Sequence, residues 1–505
     1  MSCYNLLSPL VVDPTERWEG NDGKWSTFAI QAGTPPQRFR VVPAITNQET
    51  LLVGPYGCVD IDLNVCGERR GGIFRINESS TWNSTRSFDY KQYFSLGDIV
   101  GKGLGVNDRG EYALETVALS WNESTSATLN QTVVATIKTP DYYIGQFGLS
   151  PRVSNFTGKL RSQPMFRTPS YLSLLKQNGK IPSLSWGFNP GSYYRTQYYK
   201  NSLGSLVLGG YDNSRFVGEP ISFKFNRDTG RELVVAIRSM KKIADESGQE
   251  PLINSPVLAA LDSSRPNLWL PAEDCRLFEL AFGLSWNETA NMYFINETIH
   301  SELLRGNTTV VMTLADDTSS AKTIDLHIPY GSFDLTADLP IVARPRKYFP
   351  LKRAANHTQF TIGRAFLQEA YIIADYERQN FSIAQVNWEA TSPNLTAIVP
   401  LGIAEDNSKV RKIIGVSVGI TLGMLSLAAF IGLILRRRNA SKKVRISKQS
   451  GEVGASMKLE ESQLFEVDAG VASATAGELD GQSRVEMSSG SSVIIELPTN
   501  PKSRV

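Results

Sequence analysis

The chain has 505 residues, 41% of them hydrophobic, with 18 Tyr, 22 Phe and 8 Trp, enough apolar matter for one large core or several smaller ones. A formal net charge of +2 gives no global attraction to nucleic acid or to acidic partners, and no Lys/Arg block interleaved with aromatics precedes residue 400.

Residues 1–24 form a leading segment. Met1 to Val12 lacks a basic start, and Pro9 interrupts its short apolar run before Asp13, so it is not a secretory signal peptide. A further leader-bearing segment ahead of Met1 is therefore expected. From Trp25 to Trp388 the pattern predicts mainly strands, at Phe28–Ala32, Phe39–Val42, Thr116–Leu119, Thr132–Ile137, Ser205–Leu208, Leu233–Ile237, Thr309–Thr313 and Tyr371–Ala374, separated by Gly, Pro, Asn and Asp clusters. Short helices are predicted at Ser170–Gln177 and Glu273–Phe282. Many short strands with few helices point to an all-β domain of sandwich or barrel type. Residues 389–412 read as a stalk. Ile413 to Leu435 is an uncharged run of 23 residues, long enough to cross a bilayer core, and is read as a transmembrane helix. Arg436, Arg437, Arg438, Lys442, Lys443, Arg445 and Lys448 outweigh Lys409, Arg411 and Lys412, which keeps the C-terminal side cytoplasmic in a single-pass type I arrangement. Residues 436–505, rich in Ser, Gly, Glu and Val without periodicity, are expected to be a disordered tail. Gly415, Gly419 and Gly423 recur every four residues and suggest a homodimer contact within the membrane, although glycine is common in such helices.

Eleven Asn-X-Ser/Thr sequons begin at Asn77, Asn83, Asn122, Asn130, Asn155, Asn287, Asn296, Asn307, Asn356, Asn380 and Asn394. Chance would supply about four. The excess fits a glycosylated surface outside the cytoplasm. Of the four cysteines, Cys58 and Cys66 are expected to close a short loop in an oxidising compartment, and Cys3 and Cys275 have no obvious mates. His300, His327 and His357 are too scattered for metal-ligand spacing, and no phosphate loop, Gly-x-Ser-x-Gly elbow or Cys-x-x-Cys pair occurs. No cofactor or metal is expected.

The most informative stretch runs from Ala259 to Pro271. An apolar run delivers Asp262 into the turn Ser263-Ser264, and a second apolar run leads away. A similar frame recurs at Val41-Val42-Pro43-Ala44-Ile45-Thr46-Asn47 followed by Leu51-Leu52-Val53, without a carboxylate. Trp25 to Gln37, with its Gly-Thr-Pro turn, the Ser-Ser-Thr segment from Asn77, Ile144-Gly-Gln-Phe-Gly-Leu149, Ser205-Leu-Val-Leu-Gly-Gly-Tyr-Asp212, and Thr361-Ile-Gly-Arg continuing to Asp375 follow one another in the order found in the pepsin-like (A1) aspartic proteases. The chain resembles that family, particularly its membrane-anchored fungal members. The resemblance implies a bilobal fold, with an N-terminal lobe over 25–215 and a C-terminal lobe over 216–388.

The resemblance also implies a chemistry. Two carboxylates, one from each lobe's Asp-Thr-Gly loop, share a proton around one water because like charges so close cannot both ionise. Asp262 matches the second-lobe carboxylate, with Ser264 where glycine is usual. Ala44 falls at the first-lobe position and has no proton to give or take. Glu49 lies in the same loop but five residues on, on the run leaving the site. The flap position usually filled by Tyr falls near Gly103. A lone Asp262 is expected to be less perturbed than a dyad member, and it also reads as a carboxylate that merely caps its turn. Three functions follow from the residues: a pseudoprotease whose cleft binds an extended peptide, an active acid endopeptidase at the membrane, or a structural surface protein.

Overall fold

The computed structural model describes residues 7–58, 61–84, 93–96, 109–121, 127–139, 142–156, 166–244 and 248–401. Cys3, Gly103, Asn122, the apolar run 413–435 with its three glycines, and the tail lie outside these residues. No helix among the described residues is long and apolar enough to cross a membrane.

Strands dominate, as the alternating patterns predict. Ser205–Leu208 has the predicted bounds, while Trp25–Ala32, Gln37–Ala44, Thr128–Ile137 and Val234–Ala244 extend beyond them. Pairing rather than propensity sets those ends. Val234–Ala244, for example, is held by Val257–Asp262 at one end and by Thr309–Ala315 along most of its length.

The predicted helices form as Tyr171–Gln177 and Ala272–Phe282. The first is capped by Ser170, whose Oγ accepts from the Ser173 amide at 3.2 Å. The second carries Glu273 and Asp274 in its first turn, where they complement the helix dipole, and ends at Gly283 in the left-handed conformation. Its buried face stacks Phe278 and Phe282 against Phe349. Helices at Leu63–Arg69 and Glu297–Arg305 were not anticipated. Asp62 and Asn296 cap them, accepting backbone N–H groups that would otherwise be unpaired.

Two constellations with the same connectivity organise the fold. In the first, Gln37–Ala44 runs parallel to Gly145–Gly148, which runs antiparallel to Thr50–Val53. Thr50–Val53 in turn runs parallel to Thr128–Ile137. In the second, Val257–Asp262 runs parallel to Thr361–Gly363, antiparallel to Leu268–Leu270, which runs parallel to Leu351–Arg353. A glycine-bearing strand thus threads between the two arms of each loop.

A six-stranded antiparallel sheet joins the halves. Its order is Leu10–Val12, Ser205–Leu208, Ser185–Asn189, Ala370–Asp375, Asn380–Val386 and Phe216–Lys224. Trp186 pairs with Ala374 across the junction, and both central strands are buried along their whole length. The leading segment supplies Leu10–Val12 to this sheet and Pro14–Glu19 to the first half. At the other end, Leu395–Ala397, within the stretch read as a stalk, pairs with Gly210–Asp212.

Cys58 and Cys66 form a disulfide. Cys275 is free and buried, and burial pushes its thiol up to about 12. Asn77, Asn130, Asn155, Asn296, Asn307, Asn356 and Asn394 are exposed, and Asn83, Asn287 and Asn380 are half-buried. The fully buried asparagines, Asn21, Asn47, Asn189 and Asn267, are all outside sequons.

Candidate functional site

The two loops face each other across the junction. Residues 45–49 and 263–267 are of equal length, and each follows a strand whose last residue is held by a glycine: Ala44 pairs with Gly148, Asp262 with Gly363. Both glycines are required by close approach. A Cβ on Gly148 would sit 2.6 Å from the Glu49 nitrogen, and one on Gly363 would sit 2.6 Å from the Asn267 nitrogen and 2.2 Å from its oxygen. The matched collisions give the residue correspondence independently of sequence: Ala44 with Asp262, Ile45 with Ser263, Thr46 with Ser264, and Glu49 with Asn267.

One arm of a reciprocal clasp joins the loops. Ser263 Oγ donates to the Pro43 carbonyl at 2.7 Å and accepts from the Ile45 amide at 3.1 Å. Ile45 has no hydroxyl with which to return the pair of bonds, so the first loop reaches across through Thr46 instead.

Asp262 is fully buried. Its Oδ1 accepts from the Ser264 amide at 2.9 Å and from the Thr46 hydroxyl of the opposite loop at 3.2 Å, and its Oδ2 accepts from the Ser264 hydroxyl at 2.9 Å. Thr46 and Ser264 occupy the corresponding third positions, where the resemblance leads one to expect glycines. Neither adopts a left-handed backbone, so this turn does not need glycine's freedom. Their hydroxyls instead converge on the one carboxyl group. The turn-cap reading of Asp262 therefore describes bonds that are present, with a cross-loop bond added to them.

Arg364, which sequence reasoning passed over, lies behind this loop. Its guanidinium is buried, donates to the Ser263 carbonyl at 2.8 Å, stacks over Trp25 at 4.3 Å and approaches Asp22 at 3.7 Å. Burial pulls it below its ordinary value, and Asp22, Tyr348 and Asp262 oppose that pull. The only sequence signal was its place directly after Gly363. Asp262 thus has hydroxyl, amide and guanidinium neighbours, and a methyl group at the position corresponding to its own.

Glu49 is also buried. It accepts from the Tyr112 hydroxyl at 2.9 Å and the Gln48 amide at 3.3 Å, at the foot of the first loop. His300 bonds to the Tyr330 hydroxyl at 3.0 Å, and no group of His, Cys, Asp or Glu that would hold a metal occurs among the described residues.

Beside the loops lies a cleft of about 490 Å³ to which both halves contribute. Trp25, Val42, Tyr143 and Gln146 come from the first half, and Ser264, Asn267, Trp269 and Tyr348 from the second. Ser264 and Arg364 line it. Asp262, Ala44 and Glu49 do not. No protein-family model matches the chain, and a search of curated proteins returns no match.

Proposed function

We propose that this chain is a pseudoprotease: a membrane-anchored glycoprotein whose two lobes have the pepsin-like arrangement and whose cleft binds an extended peptide without cleaving it. The observation that carries the reading is Ala44 in register with Gly148 where Asp262 is in register with Gly363. Hydrolysis of the pepsin type requires one carboxylate to draw a proton from water while a second gives one to the substrate. Ala44 supplies no second carboxylate at the matching position of the facing loop, and the oxygens of Asp262 already accept from Ser264 and Thr46. Removing one member of a catalytic unit costs several orders of magnitude in rate.

The duplicated strand constellation supports the bilobal reading, and the cleft volume falls in the range of ligand sites. Solvent-facing sequons and the Cys58–Cys66 bridge support placement of the folded part outside the cytoplasm. In this reading the apolar run over 413–435 is the anchor, the tail faces the cytoplasm, and Gly415, Gly419 and Gly423 offer a dimer contact.

The experiment is a peptide assay at acidic pH with the purified full chain. Binding without turnover is the expected outcome. Turnover that disappears in Asp262→Asn would establish an acid endopeptidase instead.

A further inference from the structure

We infer that the groove beside Asn130 holds carbohydrate: the core sugars of a glycan carried by Asn130 lie back along the protein, stacked on Trp82. This inference rests on the glycoprotein reading of the chain and goes beyond it by giving one glycan a docking site on the fold. Among the described residues, the groove shares none of its lining with the cleft beside the two loops.

Asn130 is placed by a bulge. In the ladder between Arg109–Leu119 and Thr128–Ile137, Val117 pairs with Leu129 and Glu115 with Thr132, so Asn130 and Gln131 together oppose Thr116 alone. Gln131 takes the left-handed φ of 60° that accommodates the extra residue. Leu129 and Thr132 on either side are buried, whereas Asn130 and Gln131 are exposed. Asn130 Oδ1 accepts from the Thr116 hydroxyl at 3.0 Å. A sugar attached at Nδ2 leaves Oδ1 an acceptor, so this bond survives the modification and fixes the direction in which a glycan leaves the backbone.

The groove onto which Asn130 opens, about 590 Å³, is also lined by Thr34, Ser80, Thr81, Trp82 and a second sequon asparagine, Asn83, which is half-buried and bonded through its backbone to Leu114 in both directions. Hydroxyl and amide groups around one indole match a sugar, whose hydroxyls lie at its edge and whose C–H face is apolar. The hydroxyls are held in place. Thr81 Oγ1 donates to the buried Glu115 carboxyl group and lies 3.0 Å from Thr34 Oγ1, while Ser80 Oγ donates to the Thr34 carbonyl at 3.0 Å. Ser79 Oγ donates to the same carboxyl group at 2.7 Å, so the chain of hydroxyls is rooted in one buried residue. Trp82 is half-buried with its edge against Phe74, ring centroids 5.4 Å apart at 66°, which fixes the plane of the indole. Groups ordered in this way lose little freedom when a sugar docks.

The test uses the full chain expressed in a host that attaches N-linked glycans. The folded protein is treated with an endoglycosidase that cuts between the first two core sugars, and the sugar remaining at each sequon is followed by peptide mass spectrometry. The Asn130 glycan is expected to be released about tenfold more slowly than those on the exposed Asn307 and Asn356, a ratio equal to about 1.4 kcal/mol of docking, and the difference should vanish when the chain is unfolded first. Trp82→Leu, which keeps apolar contact with Phe74 but removes the flat indole face, should bring Asn130 to the rate of the others. Equal rates in the folded parent, a bare Asn130 in a chain glycosylated elsewhere, slow release at Asn83 in its place, or slow release that Trp82→Leu leaves untouched would each overturn the docking and leave the glycoprotein reading standing. A chain without a glycan at any sequon would overturn both. The first comparison is between sites of one unaltered protein, so it decides the matter even where the Trp82 variant fails to fold.

Discussion

Replacing Ala44 by Asp would place a second carboxylate opposite Asp262, and the consequences can be worked from the loop geometry. Ala44 is fully buried and bracketed by Pro43 and Ile45, both bonded to Ser263 Oγ, and by Thr46, bonded to Asp262. Two unit charges about 4 Å apart at an effective dielectric of about 20 repel by about 4 kcal/mol. The pair would hold one proton, raising one folded-state pKa above its unfolded value. Stability contributed by that proton is present at acidic pH and lost as pH rises through the raised value. The Ala44→Asp chain should therefore melt several degrees lower at about pH 7.5 than at about pH 4.5, relative to the parent measured at both. Ala44→Asn, nearly the same size but uncharged, should not show that difference. Thermal melts of the three proteins at the two pH values decide the matter. If the Asp and Asn variants lose the same stability at both pH values, the two positions do not face each other and the residue correspondence is wrong.

Three other outcomes follow from the same contacts. Ser263→Ala leaves the Pro43 carbonyl and the Ile45 amide unpaired in the interior and should cost about 2–4 kcal/mol in denaturant unfolding, while Ser263→Thr keeps the hydroxyl and should retain most of it. Gly363→Ala should cost about 3 kcal/mol or more, because its Cβ would sit 2.2 Å from the Asn267 oxygen, whereas Gly218→Ala, left-handed but open to solvent, should cost only about 1 kcal/mol in the same measurement. Lys352 is lowered from 10.5 to about 8 by burial, so the unfolded chain binds the extra proton between those values. Stability should climb as pH rises from about 8 towards about 10, a climb that Lys352→Met abolishes in urea midpoints measured across that range.

Much of the frame was legible because it is local. Ser205–Leu208 and the short helix ending at Gln177 were predicted from patterns a few residues long, and the two recurring apolar frames at 41–53 and 259–271 are the arms of the two loops. The state of Asp262 was not legible. Thr46 and Asp262 are 216 residues apart in sequence, and Ser263 and Pro43 are 220 apart, so only the assembled halves bring the hydroxyls to the carboxylate. Arg364 was hidden for the same reason, since an arginine after a strand reads as solvated until Trp25, Asp22 and the Ser263 carbonyl are seen around it. The helix at Glu297–Arg305 is hard to read from sequence because its cap, Asn296, is also the first residue of a sequon.

The measurement that bears most directly on the account is turnover set beside binding. The full chain is incubated at about pH 4 with a fluorogenic peptide set, and occupancy and cleavage are followed in the same samples. The account predicts saturable binding with no cleavage above that of the Asp262→Asn chain. Cleavage by the parent that Asp262→Asn removes would contradict it.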